Sequence, residues 1–342
     1  MENVNKKHYP VIDIAKGIGI ILVVVGHAVP DANTGIQNFF WGGVFRWIYS
    51  FHMALFMTMS GVLFYCKVVN CNTKQQKSLE IQSRARRLLL PYAFYSSFIL
   101  LAKILFSSLS RKAISVWSIV GIFFGNSPCG NMWFLWTLFV ISVIVVLVPH
   151  TSHFPALVIA ISLVIYFFQG VSFGTIDIGI GKICNMLIWF SVGMMLGKNV
   201  GRLNELHNRS LWTKVAYPIF LFTLQILLLK YGANFRAHLI MKLLLATFGT
   251  AATIYTSNLI AETNGKVSQV LQYTGRNSMC IYVFSYFVQT PGVTIYRKIG
   301  SCGISYDVWV ISLTFLALLF TGIVTKCVRK NRTFKLLLLG EK

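Results

Sequence analysis

The stretch VIDIAKGIGIILVVVGHAVP, residues 11–30, is apolar enough to enter a membrane, yet it holds Asp13, Lys16 and His27. Lys16 and His27 are eleven residues apart. On one helix that is about three turns, so the two side chains share a face and stand about 16 Å apart along the axis. Asp13, three residues before Lys16, falls on the same face, where it can pair with the lysine. A second run, SFHMALFMTMSGVLF, carries His52. Running antiparallel to the first, it sets His52 about 15 Å below its outer end, near the level of His27. An imidazole titrates close to neutrality and serves as general base or nucleophile. Two of them at one depth could line a single cavity, and ionisable side chains inside a membrane are functional candidates by default.

Between the second and third apolar runs comes SRARRLLLPY. Arg84 and Arg87 share a helical face, and paired guanidinium groups suit bidentate recognition of phosphate. Each feature also has a plainer reading. A lone intramembrane histidine often hydrogen-bonds across helices. Lys16 could be an interfacial anchor, with Asp13 as its surface partner. The arginines match ordinary positive charge on a cytoplasmic loop. His27 is the hardest to dismiss, because burying it costs free energy and the stripe aligns it with Lys16.

The surrounding chain is built to hold such groups in lipid. Of its 342 residues, 56% are hydrophobic and 12% charged, with a mean hydropathy of +0.67. A soluble domain carries roughly a quarter charged residues. Ten apolar runs are read as membrane spans, at about 11–29, 42–66, 88–108, 131–149, 154–170, 183–199, 212–230, 238–261, 277–294 and 306–327. The predicted fold is an all-α, polytopic membrane helical bundle of about ten transmembrane helices, as one domain over 1–342 with no appended soluble domain. The basic N-terminus precedes an apolar run, but Asp13 and Lys16 interrupt that run and no cleavage site follows, so it is read as the first span.

The net charge of +22, from 31 Lys and Arg against 9 Asp and Glu, lies largely between the runs. Topology and anionic headgroups account for it more simply than nucleic acid, which is not an expected partner. One set of segments is the richer, with Lys6, Lys7, Lys67, Lys74, Lys77, Arg84, Arg86, Arg87, Lys198, Lys214, Lys266, Arg276 and the tail from Lys326. That set is predicted to be cytoplasmic, with both termini inside. The poorer set includes Arg111, Lys112, Lys182, Lys230 and Arg236. The seven cysteines show no metal spacing, and only Cys129 and Cys302 fall in outer loops where a disulfide is conceivable. No metal site is expected.

The order of motifs IDIAKGIGIILVVVGH, FHMALFMTMSGVLF, RARRLLLPY, MWFLWTLF and YTGRNSMCIYVFSY resembles the membrane acyltransferase-3 family, over residues of about 10 to 290. These are bacterial integral-membrane O-acyltransferases that modify surface polysaccharides and other glycans. The resemblance implies acyl-CoA, usually acetyl-CoA, as donor and a sugar hydroxyl as acceptor, on a polysaccharide or a lipid-linked sugar, at the bacterial cytoplasmic (inner) membrane. By matching position, His27 is the implied catalytic histidine and Lys16 the basic member of its motif. His52 is a second active-site histidine, with Asp13 holding Lys16. Arg84, Arg87 and Lys16 would meet the nucleotide phosphates of the donor. Asn131, Trp133, Phe134 and Tyr282 are carried over as acceptor-binding candidates, although an aromatic belt at the membrane interface explains Trp133 and Phe134 nearly as well. Two departures are visible. Members often have arginine where Lys16 stands, so a bidentate contact is not implied here. Many carry a histidine where this chain has Ser285, so no third-histidine role transfers.

Acyl transfer from thioester to alcohol needs a base for the hydroxyl proton and stabilisation of the oxyanion. His27 could act as that base or carry the acyl group transiently, and the sequence leaves both open. A proton-coupled transporter or flippase remains the rival reading, since central histidines on a polar stripe suit a carrier as well.

Overall fold

The computed structural model describes residues 9–30, 38–69, 71, 73–105, 116–127, 130–148, 154–168, 179–199, 210–232, 238–299 and 305–341. Regular structure among them is helical throughout. The helices are α1 (Pro10–Ala28), α2 (Phe39–Tyr49), α3 (His52–Val68), α4 (Lys74–Arg84), α5 (Leu90–Leu105), α6 (Val116–Phe123), α7 (Trp133–Leu147) and α8 (Phe154–Phe168). They continue as α9 (Ile180–Lys198), α10 (Leu211–Tyr231), α11 (His238–Thr263), α12 (Lys266–Arg276), α13 (Ser278–Ile299), α14 (Tyr306–Lys330) and α15 (Arg332–Leu339). Cys129 and Cys302 lie outside the described residues, as do Lys6, Lys7, Arg111, Lys112 and Arg236.

Among the described residues, every apolar run read from the sequence is occupied by helix. Seven stretches among the described residues are long and apolar enough to cross a membrane, and Trp133–Leu147 and Phe154–Phe167 are shorter apolar helices. The chain is a multi-pass membrane protein. The second run, expected as one helix over 42–66, is instead broken between α2 and α3 at Ser50 and Phe51. The third run is joined to the amphipathic α4 through a single π turn, Ala85–Leu89. The remaining helices outside the ten runs are α6, α12 and α15.

The described residues form two compact units, Met1–Met59 with Val200–Thr325, and Ser60–Asn199 with Lys326–Lys342. In the first, α1 is the central element. Proline at its first helical position has no N–H to leave unpaired. Ile12, Ile14, Ala15, Ile20, Val23 and Val24 are all buried around its circumference, as befits a helix enclosed by others. It packs on α2, α11, α12 and α13. Gly275 of α12 has no room for a side chain, because a Cβ there would overlap the Asp13 carbonyl and stand 2.9 Å from the Gly17 nitrogen. Gly17 in turn is pressed against the Leu271 carbonyl. Backbones approach this closely only where both positions are small. Gly275→Val is therefore expected to force α12 off α1 and prevent accumulation of folded protein. Native yield and a monodisperse profile in detergent for that variant would contradict this packing.

Helices α10 and α11 form an antiparallel pair in the same unit. The ion pair of Lys214 Nζ with Glu262 Oε2, at 2.7 Å, joins them. In the second unit α8 packs on α9, α7 packs on α4, α9 and the π turn, and α15 packs on α5.

Candidate functional site

The first unit brings three rings together at the α2–α3 break. Breaking a helix inside lipid frees backbone groups, each costing several kcal/mol unless another partner is found. Here the partners are local. Ser50 Oγ donates to the Trp47 carbonyl at 2.7 Å, and His52 Nδ1 lies 2.8 Å from the Ile48 carbonyl. A carbonyl only accepts, so His52 Nδ1 carries the proton, and Nε2 of the neutral ring is left as an acceptor.

From α10, Gln225 braces the same break. Its Nε2 donates to Ser50 Oγ at 2.9 Å and to the Leu245 carbonyl at 3.1 Å. Its Oε1 accepts from Trp47 Nε1 at 2.9 Å. Gln225 is fully buried, and each of its contacts replaces water that the membrane lacks.

The break leaves Tyr49 as the last residue of α2 and His52 as the first of α3. Their rings meet edge to face with centroids 4.8 Å apart. On its other side the Tyr49 hydroxyl lies 3.2 Å from His27 Nδ1, with the rings again edge to face. The two histidines picked out by the sequence are thus joined through a tyrosine that it did not single out. His52 is 4% exposed, while Tyr49 retains 39% of its surface. One turn before His27, Gln289 of α13 donates from Nε2 to the Val24 carbonyl, so α1 is held from that side too.

At the opposite end of α1, Asp13 and Lys16 form the expected pair, at 3.6 Å. The helix runs unbroken between Lys16 and His27, which preserves the shared face and the separation of about 16 Å. Tyr282 packs beside Ile20, Val23 and Val24 on the intervening stretch.

The remaining candidates belong to the second unit. Arg84 is engaged: its Nε is 2.8 Å from Glu80 Oε1, its guanidinium lies 4.4 Å from the Phe64 ring centre, and Nη1 donates to Ser142 Oγ at 3.3 Å. Lys67 Nζ meets the other Glu80 oxygen at 2.7 Å. Arg87, on the π turn, is exposed. A single π turn within a helix is frequent at functional sites. Gly340, in the left-handed conformation at φ 63°, rests on this turn so closely that a Cβ would overlap the Arg86 carbonyl. The C-terminal cap of α15 thereby braces the arginine-bearing turn. Trp133 and Phe134 meet edge to face, Lys182 Nζ sits 5.8 Å from the Trp133 ring centre, and Asn131 is half-buried. Among the described residues, no three His, Cys, Asp or Glu side chains gather as a metal site would require.

A family model described as an acyltransferase domain matches residues 9–329. The chain belongs to the acyltransferase-3 family. Its matched region contains every candidate above. Among curated proteins it is similar to nodulation protein NolL of Mesorhizobium japonicum, 26% identical over 206 residues, covering 58% of this chain and 51% of that protein. It is also similar to NolL of Sinorhizobium fredii, 34% identical over 133 residues, covering 37% of this chain and 32% of that one. The chain thus spans about half the length of the first relative and about a third of the second. No solved structure matches this chain.

Proposed function

We propose that this acyltransferase moves an acetyl group from cytoplasmic acetyl-CoA to a hydroxyl of a cell-surface polysaccharide or lipid-linked sugar, working in a bacterial inner membrane with both termini cytoplasmic. The observation that carries the reading is the pair of imidazoles joined by Tyr49 inside a membrane-spanning unit. Buried ionisable groups are costly in lipid and are retained where chemistry needs them.

His27 removes the proton of the acceptor hydroxyl as its oxygen attacks the thioester carbonyl. The carbon–oxygen bond forms, the carbon–sulfur bond breaks, and the proton passes from His27 to the departing CoA thiolate. His52, with Nδ1 committed to Ile48, has Nε2 to receive a hydrogen bond from a hydroxyl and orient it. Asp13 holds Lys16 near the donor's end of α1. Arg87 binds donor phosphate, while Arg84, tied to Glu80, keeps its turn in shape. Asn131, Trp133, Phe134 and Tyr282 are assigned to the acceptor.

The test supplies acetyl-labelled acetyl-CoA and the host's glycolipid or polysaccharide fraction to membrane vesicles containing the protein. Base-labile label in glycan is expected, and its absence across several donors and acceptor fractions would overturn the reading. Arg87→Ala is expected to raise the donor KM about tenfold, the worth of one charge-assisted hydrogen bond, with kcat little changed. An unchanged KM in initial-rate measurements would remove Arg87 from the donor site.

A further inference from the structure

His27 and Tyr49 sit in a built arrangement. Gly26 leaves a hollow on α1 into which the Tyr49 ring fits, since a Cβ at Gly26 would come 2.8 Å from Tyr49 Cε2. Phe45, one turn earlier on α2, stacks on the phenol ring with centroids 3.9 Å apart and planes at 26°. His52 closes the edge. Packed on three sides, the ring carries its hydroxyl to His27 Nδ1 at 3.2 Å.

We infer that Tyr49 is the positioning residue of the catalytic histidine, accepting a hydrogen bond from His27 Nδ1 and so leaving Nε2 bare toward the acceptor hydroxyl. This rests on the reading of His27 as base. A neutral imidazole has one protonated nitrogen and one bare one. A base must offer the bare nitrogen to its substrate, and Nδ1 is the nitrogen turned to Tyr49. A base oriented by a third group recurs across acyl-transfer enzymes, and here a phenol takes the place that a carboxylate often fills. A neutral partner suits the site: a carboxylate buried beside two imidazoles in lipid would bring its own desolvation cost.

The deciding experiment measures acyl transfer by native protein, Tyr49→Phe, His27→Ala and the double variant, at matched abundance in vesicles. Tyr49→Phe keeps the ring and its packing and removes only the hydroxyl. It is expected to lower kcat about tenfold or more, with the donor KM and the unfolding temperature unchanged. In the His27→Ala background the same substitution is expected to cost nothing further, because the two residues act as one unit. Gly26→Ala, which displaces the ring but keeps the hydroxyl, is expected to share the kcat loss. Native kcat in Tyr49→Phe, or an equal fractional loss with and without His27, would overturn the inference while leaving His27 as base. Full activity in His27→Ala would overturn both.

Discussion

Replacing His27 with alanine is expected to lower acyl transfer by about two to four orders of magnitude, the usual worth of a positioned general base. The fold should survive, because His27 is half-buried at the last turn of α1. That helix is held by the glycine crossing with α12 and by Gln289 on Val24. His52→Ala is expected to act differently. It removes one of two hydrogen bonds on the Ile48 carbonyl at the helix break, the other coming from the Phe51 N–H, so lower stability should accompany any loss of rate. Rates measured alongside unfolding temperatures separate the two. A His27→Ala protein of native activity, with an inactive but folded His52→Ala protein, would transfer the role of base to His52.

Replacing Glu80 with alanine is expected to lower the stability of the second unit strongly. Glu80 Oε1 and Arg84 Nε lie 2.8 Å apart, with side chains 7% and 15% exposed. Removing the carboxylate strands a guanidinium among Phe64, Ser142 and helix backbone. Breaking a buried pair from one side costs about 3–5 kcal/mol, whereas replacing both partners by apolar residues is often neutral. Glu80→Ala should therefore unfold at a markedly lower temperature in detergent, and Glu80→Leu with Arg84→Met should recover most of the loss. A native unfolding temperature for Glu80→Ala would show that the pair does not hold this turn.

The apolar runs could be read from the sequence because crossing a hydrocarbon core sets both their length and composition. The face shared by Lys16 and His27 could be read as well, since helical geometry fixes it once the run is helical. The break at Ser50 could not. It depends on Gln225, 175 residues away along the chain, whose only local signal is a lone amide in the run FTLQILLL. Tyr49 was hidden for the same reason: its role follows from a hollow at Gly26, and among many aromatics its type alone says nothing. For Arg84 the signal was present at shorter range. Glu80 stands four residues earlier, the spacing of a helical ion pair. The partition of the chain into two units reflects contacts among helices distant in sequence, which hydropathy does not record.

The proposed acyl-CoA-dependent O-acyl transfer requires that its proton pass through His27. The most direct measurement counts free CoA thiol released against ester formed on the glycan, in the same vesicles, for native protein and His27→Ala. One thiol for each ester, with both lost together in the variant, is the predicted result. Ester and thiol at native levels without His27, or proton-driven movement of the glycan with no thiol released, would contradict it.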